Sequence, residues 1–322
     1  MCLFHITLLN NLKTVTYFYN KKNLFHDPIH NQTINIPNSS IEITIKREDL
    51  IHPFISGNKF RKLKYNIQQA KVDQSKSILT FGGAFSNHIA AVAFAGKEQG
   101  IDTIGIIRGE ELALKKELNP TLQFAKSCGM RLKFISREDY RKKTSHEFLD
   151  SLRAEFEGFY LLPEGGTNNL AVKGCEEILQ SKDSKFNYIC CAVGTGGTIS
   201  GLINASKDYQ KILGFPALKG DFLQEDICKF ANQDNWELIT DYHFGGYGKI
   251  KPELISFINT FYKDHDIPLD PIYTGKMLYG IFDLIRLGYF PLGSKILAIH
   301  TGGLQGVAGV NAMLKRKKSP FN

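Results

Sequence analysis

Three parts of this chain carry chemistry: a lysine able to shed its proton, a glycine-rich turn able to hold an anion, and a phenol placed just before a helix. The turn is Gly194-Thr195-Gly196-Gly197-Thr198. It follows the apolar run 188–193 and opens a helical pattern. Glycines let the backbone approach an anion closely, and the helix N-terminus supplies unpaired N–H groups and the positive end of a dipole. Thr195 and Thr198 add hydroxyl donors. No Gly-Lys-Ser/Thr follows, and a dinucleotide fingerprint would need glycine where Ile199 stands, so the turn reads as a phosphate cup of neither kind. A plain glycine turn is the bland alternative.

The lysine is Lys59, in Ser56-Gly57-Asn58-Lys59-Phe60-Arg61-Lys62. At a helix start the dipole disfavours its ammonium form, and a neutral amine can form a Schiff base. Lys62, one turn later, is placed to pair with a phosphate. A third segment, Gly82-Gly83-Ala84-Phe85-Ser86-Asn87-His88, runs from a strand into an Ala-rich helix. Its bland reading is an N-cap by Ser86 or Asn87; its functional one surrounds a carboxylate or cofactor with donors. The segments 165–169, 244–248, 271–276 and 300–303 also look like site loops. Tyr273 is the acid–base candidate among them.

The elements that must position these groups alternate. Apolar runs at 77–81, 103–107, 131–135, 159–162, 188–193 and 295–300 read as strands. Helical spacing covers 59–71, 86–99, 168–180, 197–207, 253–261 and 276–286. Such alternation implies parallel sheets covered by helices, with ligands in the loops beyond the carboxyl ends of the strands. The charged, strand-poor segment 136–157 marks a lobe boundary. The expected division is a large lobe, 1–61 and 158–322, and a small lobe, 62–157, with residues 1–28 a loosely ordered extension and no signal peptide.

The bulk of the chain excludes several classes. Its 322 residues are 43% hydrophobic and 22% charged, ordinary for a globular protein. No apolar run is long enough for a membrane helix. The net charge of +8 is spread along the chain apart from Lys315-Arg316-Lys317-Lys318, which reads as a solvated tail, so no nucleic-acid partner is expected. Six scattered cysteines lack metal spacing, so no metal is expected. Reduced thiols point to the cytoplasm. Cys190 and Cys191 should act as small buried hydrophobes.

Taken together, KREDL, SGNKFRKLKY, TFGGAFSNH, LPEGGTN, AVGTGGT, YTGK and IHTGG, in that order, give a chain that resembles the D-cysteine desulfhydrase / 1-aminocyclopropane-1-carboxylate (ACC) deaminase family. The resemblance implies an α/β, PLP-dependent fold type II (tryptophan synthase β-subunit-like), with two lobes, each a mainly parallel sheet flanked by helices. It implies pyridoxal 5′-phosphate as cofactor, a small amino-acid substrate and a homodimer. It implies that Lys59 is the Schiff-base lysine and base, that Lys62, Asn87, Gly194, Thr195, Gly196, Gly197 and Thr198 hold phosphate, and that Tyr247 and Thr301 lie by the cofactor ring. Ser86, Asn87, His88 and Thr274 then meet substrate, with Ser86 and Tyr273 assisting proton transfer. ACC deaminases carry Glu and Leu where this chain has Thr274 and Thr301, whereas D-cysteine desulfhydrases resemble it at both. Relatives often have Arg at the position of Ala90. The expected reaction is β,α-elimination of D-cysteine to pyruvate, ammonia and hydrogen sulfide. ACC deamination, another D-amino-acid lyase or racemase, and a non-catalytic cofactor-binding protein are the alternatives.

Overall fold

Apolar runs and amphipathic stretches alternate along the chain, and the strands pair into two sheets rather than one. The structure, a computed structural model, describes residues 29–316 apart from Asn38, Ser56 and Asp221. The expectations for the first 28 residues, for Cys2 and for Lys317 and Lys318 therefore lie outside the described residues.

The chain begins in the larger sheet with β1 (Asn31–Ile34) and β2 (Glu42–Lys46). Helix α1 (Asn58–Val72) then leads to β3 (Ser77–Gly82), α2 (Asn87–Gln99), β4 (Asp102–Arg108), α3 (Pro120–Ser127) and β5 (Arg131–Ile135). Two helices follow in the charged segment, α4 (Arg137–Arg141) and α5 (His146–Glu155), and then β6 (Phe159–Leu162). The chain returns through α6 (Asn169–Glu176) to β7 (Tyr188–Val193), α7 (Gly197–Ala205), β8 (Lys211–Pro216), α8 (Phe222–Cys228) and β9 (Trp236–Leu238). It closes with α9 (Pro252–His265), α10 (Thr274–Arg286), β10 (Lys295–Ile299) and α11 (Gln305–Arg316).

The larger sheet has the order β1-β2-β10-β7-β8-β9 and the smaller β5-β4-β3-β6. All pairs are parallel except β1 with β2. One expectation is corrected. The lobe boundary at 157 falls before β6, yet Phe159–Leu162 pairs with β3 in the smaller sheet, Ser77 opposite Phe159. The chain leaves that sheet only after Leu162, with β6 at the edge beside β3. The other end of the expected small lobe, between 61 and 62, cuts through α1.

Both sheets are buried on two faces, which is why their strands read as continuous apolar runs. In β7, Cys190 faces α10 with Met277 and Ile281, whereas Cys191 faces α7 with Ile199 and Leu202. Both thiols are fully buried, as two adjacent small hydrophobes on alternating sides must be. In β3, Ile78 faces α1 and α2, and Leu79 faces α5.

The KREDL segment is architectural. Buried Lys46 pairs with Asp183, Arg47 holds Asp49 at 2.9 and 2.8 Å, and Glu48 receives 2.9 and 3.1 Å bonds from Arg61 on α1. The Glu48–Arg61 pair fastens the segment after β2 to the helix that carries Lys59. Helix α1 in turn packs on α6, and α6 on α7, through glycines. A Cβ on Gly174 would lie 2.0 Å from the Arg61 carbonyl oxygen, and one on Gly201 would lie 2.5 Å from the Cys175 Cβ.

Candidate active site

The loops after β2, β3, β6, β7 and β10 converge on one cleft of about 900 Å³ between the sheets. Lys59 lines it as the second residue of α1. Its placement depends on Gly57, whose φ of +62° suits glycine and whose missing side chain would put a Cβ 1.8 Å from the Thr301 carbonyl oxygen. The helix start therefore rests directly on the turn after β10. Asn58 adds two ties, its N–H to the Thr301 carbonyl at 3.3 Å and its amide to the Thr198 hydroxyl at 2.8 Å. Burial, with the Lys62 cation nearby, lowers the Lys59 amine to about 7. Near neutrality it is thus an appreciable nucleophile and base.

The 194–198 turn lies where α7 begins, and its glycines are required. A Cβ on Gly197 would lie 2.8 Å from the Thr167 hydroxyl, and one on Gly194 would lie 3.3 Å from the Tyr273 ring. Lys62 sits beneath this turn, 2% exposed. Its Nζ donates to the Gly165 carbonyl at 3.1 Å, to Thr167 at 2.9 Å and to Thr195 at 3.4 Å. It braces two glycine loops while placing a cation under the cup. Burial holds its ammonium below the usual lysine range.

Ser86 caps α2, accepting from the Ile89 N–H at 3.3 Å, so the bland reading of that segment holds. Ser86 also lines the cleft, as do Asn87 and His88. Asn87 is not directed to the cup. Its amide donates to the Gly303 carbonyl at 3.3 Å, at the turn that carries Thr301. His88 is 3% exposed and braced against Thr80 at 2.8 Å. Thr80 has one hydroxyl proton, and the Leu162 carbonyl lies 2.9 Å away to take it. Nε2 of His88 then carries the hydrogen, and Nδ1 is a buried acceptor without a partner. Burial, reinforced by Lys59 and Lys62, pushes the imidazole well below its ordinary value, so it is neutral.

Tyr273 stands immediately before α10, its ring 6.2 Å from that of Tyr247 and tilted by 64°. Burial first, then the neighbouring Tyr247 phenol, raise Tyr273 well above the ordinary tyrosine value, so it stays protonated and can donate. Tyr247 lies edge-on to Tyr273 and lines the cleft. Thr301 lines the cleft as well. Thr274 does not, which corrects its assignment to substrate. It is fully buried, its hydroxyl donating to Asp270 at 2.7 Å and accepting from the Asp270 N–H at 3.1 Å. The α10 start turns this side chain under the loop, while its neighbour Tyr273 turns outward.

Asp270 is among the residues that sequence reasoning missed. Besides Thr274 it accepts from the N–H groups of Ile272, Tyr273 and Thr274 at 2.9, 2.7 and 2.9 Å, and so fixes the Tyr273 backbone. An aspartate just before a helix is a capping signal that could have found it. Arg108, which ends β4, and Tyr140, on α4, also line the cleft. The Arg108 guanidinium lies 5.6 Å from the centre of the Tyr140 ring, and among the described residues the buried Tyr140 hydroxyl has no hydrogen-bond partner. No local pattern marks either residue.

Known proteins decide what this geometry belongs to. A family model described as pyridoxal-phosphate dependent enzyme matches residues 29–302. The chain belongs to this family. A putative ACC deaminase of Pyrococcus horikoshii is 34% identical over 294 residues, which are 84% of this chain and 88% of that one. A mitochondrial bifunctional D-cysteine desulfhydrase/ACC deaminase of Arabidopsis thaliana is 30% identical over 310 residues, 87% of this chain and 77% of that one. A solved ACC deaminase homologue superposes with a TM-score of 0.79 at 30% identity, covering 91% of this chain and 94% of that one. The O-acetylserine-dependent cystathionine β-synthase of Helicobacter pylori shares the fold, with a TM-score of 0.62 at 15% identity.

The protein is thus a pyridoxal-phosphate enzyme of fold type II, in the ACC deaminase and D-cysteine desulfhydrase group. Its residues fit the cofactor. The 194–198 turn is a cradle that side chains would fill, with a buried cation below it and a helix start behind. A near-neutral lysine amine faces the same cleft. These are the requirements of a phosphate at one end and an aldehyde at the other.

Proposed function

We propose that the protein is a carbon–sulfur lyase that converts D-cysteine and water to pyruvate, ammonia and hydrogen sulfide. The observation that carries this reading is Thr301. It is the polar side chain of the 301–303 turn that lines the cleft, and the carboxylate packed behind that turn, Asp270, has both oxygens filled by donors from 272–274. A threonine hydroxyl beside a pyridine nitrogen favours a less protonated ring than a carboxylate would. Such a ring suffices to expel a thiolate, a good leaving group, and is less suited to opening a cyclopropane with no α-hydrogen.

When bound, the cofactor supplies an electron sink for negative charge at the substrate Cα. The chain's residues do the rest. Lys59 would tether the cofactor and, as a free amine, take the α-proton. Ser86 and the N–H groups opening α2 hold the α-carboxylate. Lys62 and the 194–198 turn hold phosphate. The protonated Tyr273 phenol donates toward the departing sulfur, and Tyr247 covers the ring. The reading extends to a homodimer in a reducing compartment, of which light scattering on the purified protein tests the first part.

ACC deamination, giving 2-oxobutyrate and ammonia, is the second reading, and the names of the relatives favour it. Pyruvate, sulfide and 2-oxobutyrate should be measured from cofactor-loaded protein given D-cysteine, L-cysteine, D-serine and ACC separately. Sulfide and pyruvate from D-cysteine without 2-oxobutyrate from ACC is the expected result. Comparable 2-oxobutyrate from ACC overturns the argument from Thr301. Cofactor absorbance with no product from any of the four identifies a binding protein instead.

A further inference from the structure

A buried lysine that no step above uses stands three residues after Tyr273. Lys276 is 1% exposed, on the first turn of α10. Its Nζ donates to the carbonyls of His243 at 2.8 Å and Gly246 at 2.9 Å. Those carbonyls belong to the turn that ends in Tyr247. The turn is unusual in its backbone: Phe244, Gly245, Gly246 and Gly248 all have positive φ, at 56°, 95°, 110° and 67°. Phe244 has a side chain and pays for that conformation with strain. Within the turn the Gly246 N–H reaches the His243 carbonyl at 3.0 Å, the Lys249 N–H reaches the Gly246 carbonyl at 3.2 Å, and the Gly245 N–H reaches His243 Nδ1 at 2.8 Å. The Phe244 ring packs edge-on against Tyr279 of α10 at 5.0 Å.

We propose that Lys276 is a positioning residue for Tyr247: by bonding both carbonyls from α10, its ammonium sets the strained turn that presents the Tyr247 ring to the cleft. The proposal rests on the reading of Tyr247 as the ring that covers the cofactor. One helix then places both phenols, Tyr273 through its own first turn and Tyr247 through Lys276. Burial lowers this lysine to about 8, with Asp270 opposing. No substrate contact is needed for this role, and Lys276 is not among the residues that line the cleft.

Lys276→Met keeps an unbranched side chain, one atom shorter, and removes the donors. In cofactor-loaded protein, amide hydrogen exchange at residues 245–248 should quicken about tenfold, with the rest of the chain and the melting temperature little changed. Circular dichroism of the bound cofactor should shift as it does in Tyr247→Ala. Unchanged exchange in 245–248 overturns the proposal. With whichever amino acid is turned over, Lys276→Met should lower kcat/KM about tenfold in the presence of Tyr247 and less than about twofold in a Tyr247→Ala background. Additive losses overturn it too. If Lys276→Met does not fold, Lys276→Gln, which retains one donor, should give an intermediate quickening, and exchange identical to wild type counts against the role. The exchange and dichroism measurements need no turnover. A protein inactive on every amino acid tried, yet loosened at 245–248 by the substitution, would end the lyase reading and leave this one standing.

Discussion

An amine that is to attack a carbonyl must first lose its proton, and Lys59 is arranged to do so near pH 7. Its value falls from 10.5 in the free side chain to about 7 when folded. Between those pH values the unfolded chain binds the extra proton, so Lys59 contributes stability that rises with pH from about 7 toward 10.5. Cofactor capture by the apoprotein should therefore accelerate from pH 6 to 8 and level off above, followed by absorbance in the visible; a flat profile would contradict the depressed value. Lys59→Met should lose both that absorbance and turnover. Tyr273→Phe should keep the cofactor spectrum and lose turnover by about 10²-fold or more, the usual share of a general acid. Thr274→Val removes one of the donors to buried Asp270 and should lower stability by about 1–3 kcal/mol in urea unfolding, without altering preference between D-cysteine and ACC. A change in that preference would restore Thr274 to the substrate. Lys59 and the 194–198 turn were legible because residue type and spacing state their chemistry. Lys276 was not, because its partners are backbone carbonyls, which sequence leaves anonymous, and Asp270 offered only its position ahead of a helix. Thr274 was misassigned because one residue's shift at a helix start decides whether a side chain faces a cleft or the core.

Helices α1, α6 and α7 act as one stack, and its spacing is set by two glycines. Gly174 brings α6 against the α1 backbone, and Gly201 brings α7 against α6. This stack fixes Lys62 on α1 beneath the N-terminus of α7. Gly174→Ala would place a methyl against a carbonyl that cannot yield, so a loss of about 1–3 kcal/mol is expected, with weaker cofactor binding as α1 is displaced. Equilibrium unfolding and a fluorescence titration with cofactor measure the two effects, and a stable variant with undiminished affinity would show that the stack tolerates slack. At this scale most strands could be read from the chain, since runs buried on both faces are apolar throughout. Strands β1, β2, β8 and β9 were missed, β8 because Gly214 and Pro216 look like breakers. In place, a Cβ on Gly214 would lie 2.5 Å from Ile199 and 2.7 Å from Leu238, so the glycine is what lets helix and neighbouring strand close over it. The charged segment read as a boundary forms α4 and α5, whose charges cover an outward face while Tyr140 and Leu152 enter the core.

Across the whole molecule, the chain passes between the sheets twice, once after β2 and once after β6. Each passage carries part of the site: Gly57, Asn58, Lys59 and Lys62 on the first, Gly165 and Thr167 on the second. Lys62 ties the two passages together through Gly165 and Thr167. A ligand seated there draws on both halves at once, and its binding free energy belongs to neither alone. At a hundredfold excess over Kd this amounts to about 2.7 kcal/mol. Calorimetry should therefore show the loaded protein melting in one sharp step, and the empty protein melting lower and in a broader one. A molecule joined in this way reports a full site to every strand it owns, so that cells short of cofactor would hold a pool of this enzyme that is also the first to be unfolded and cleared.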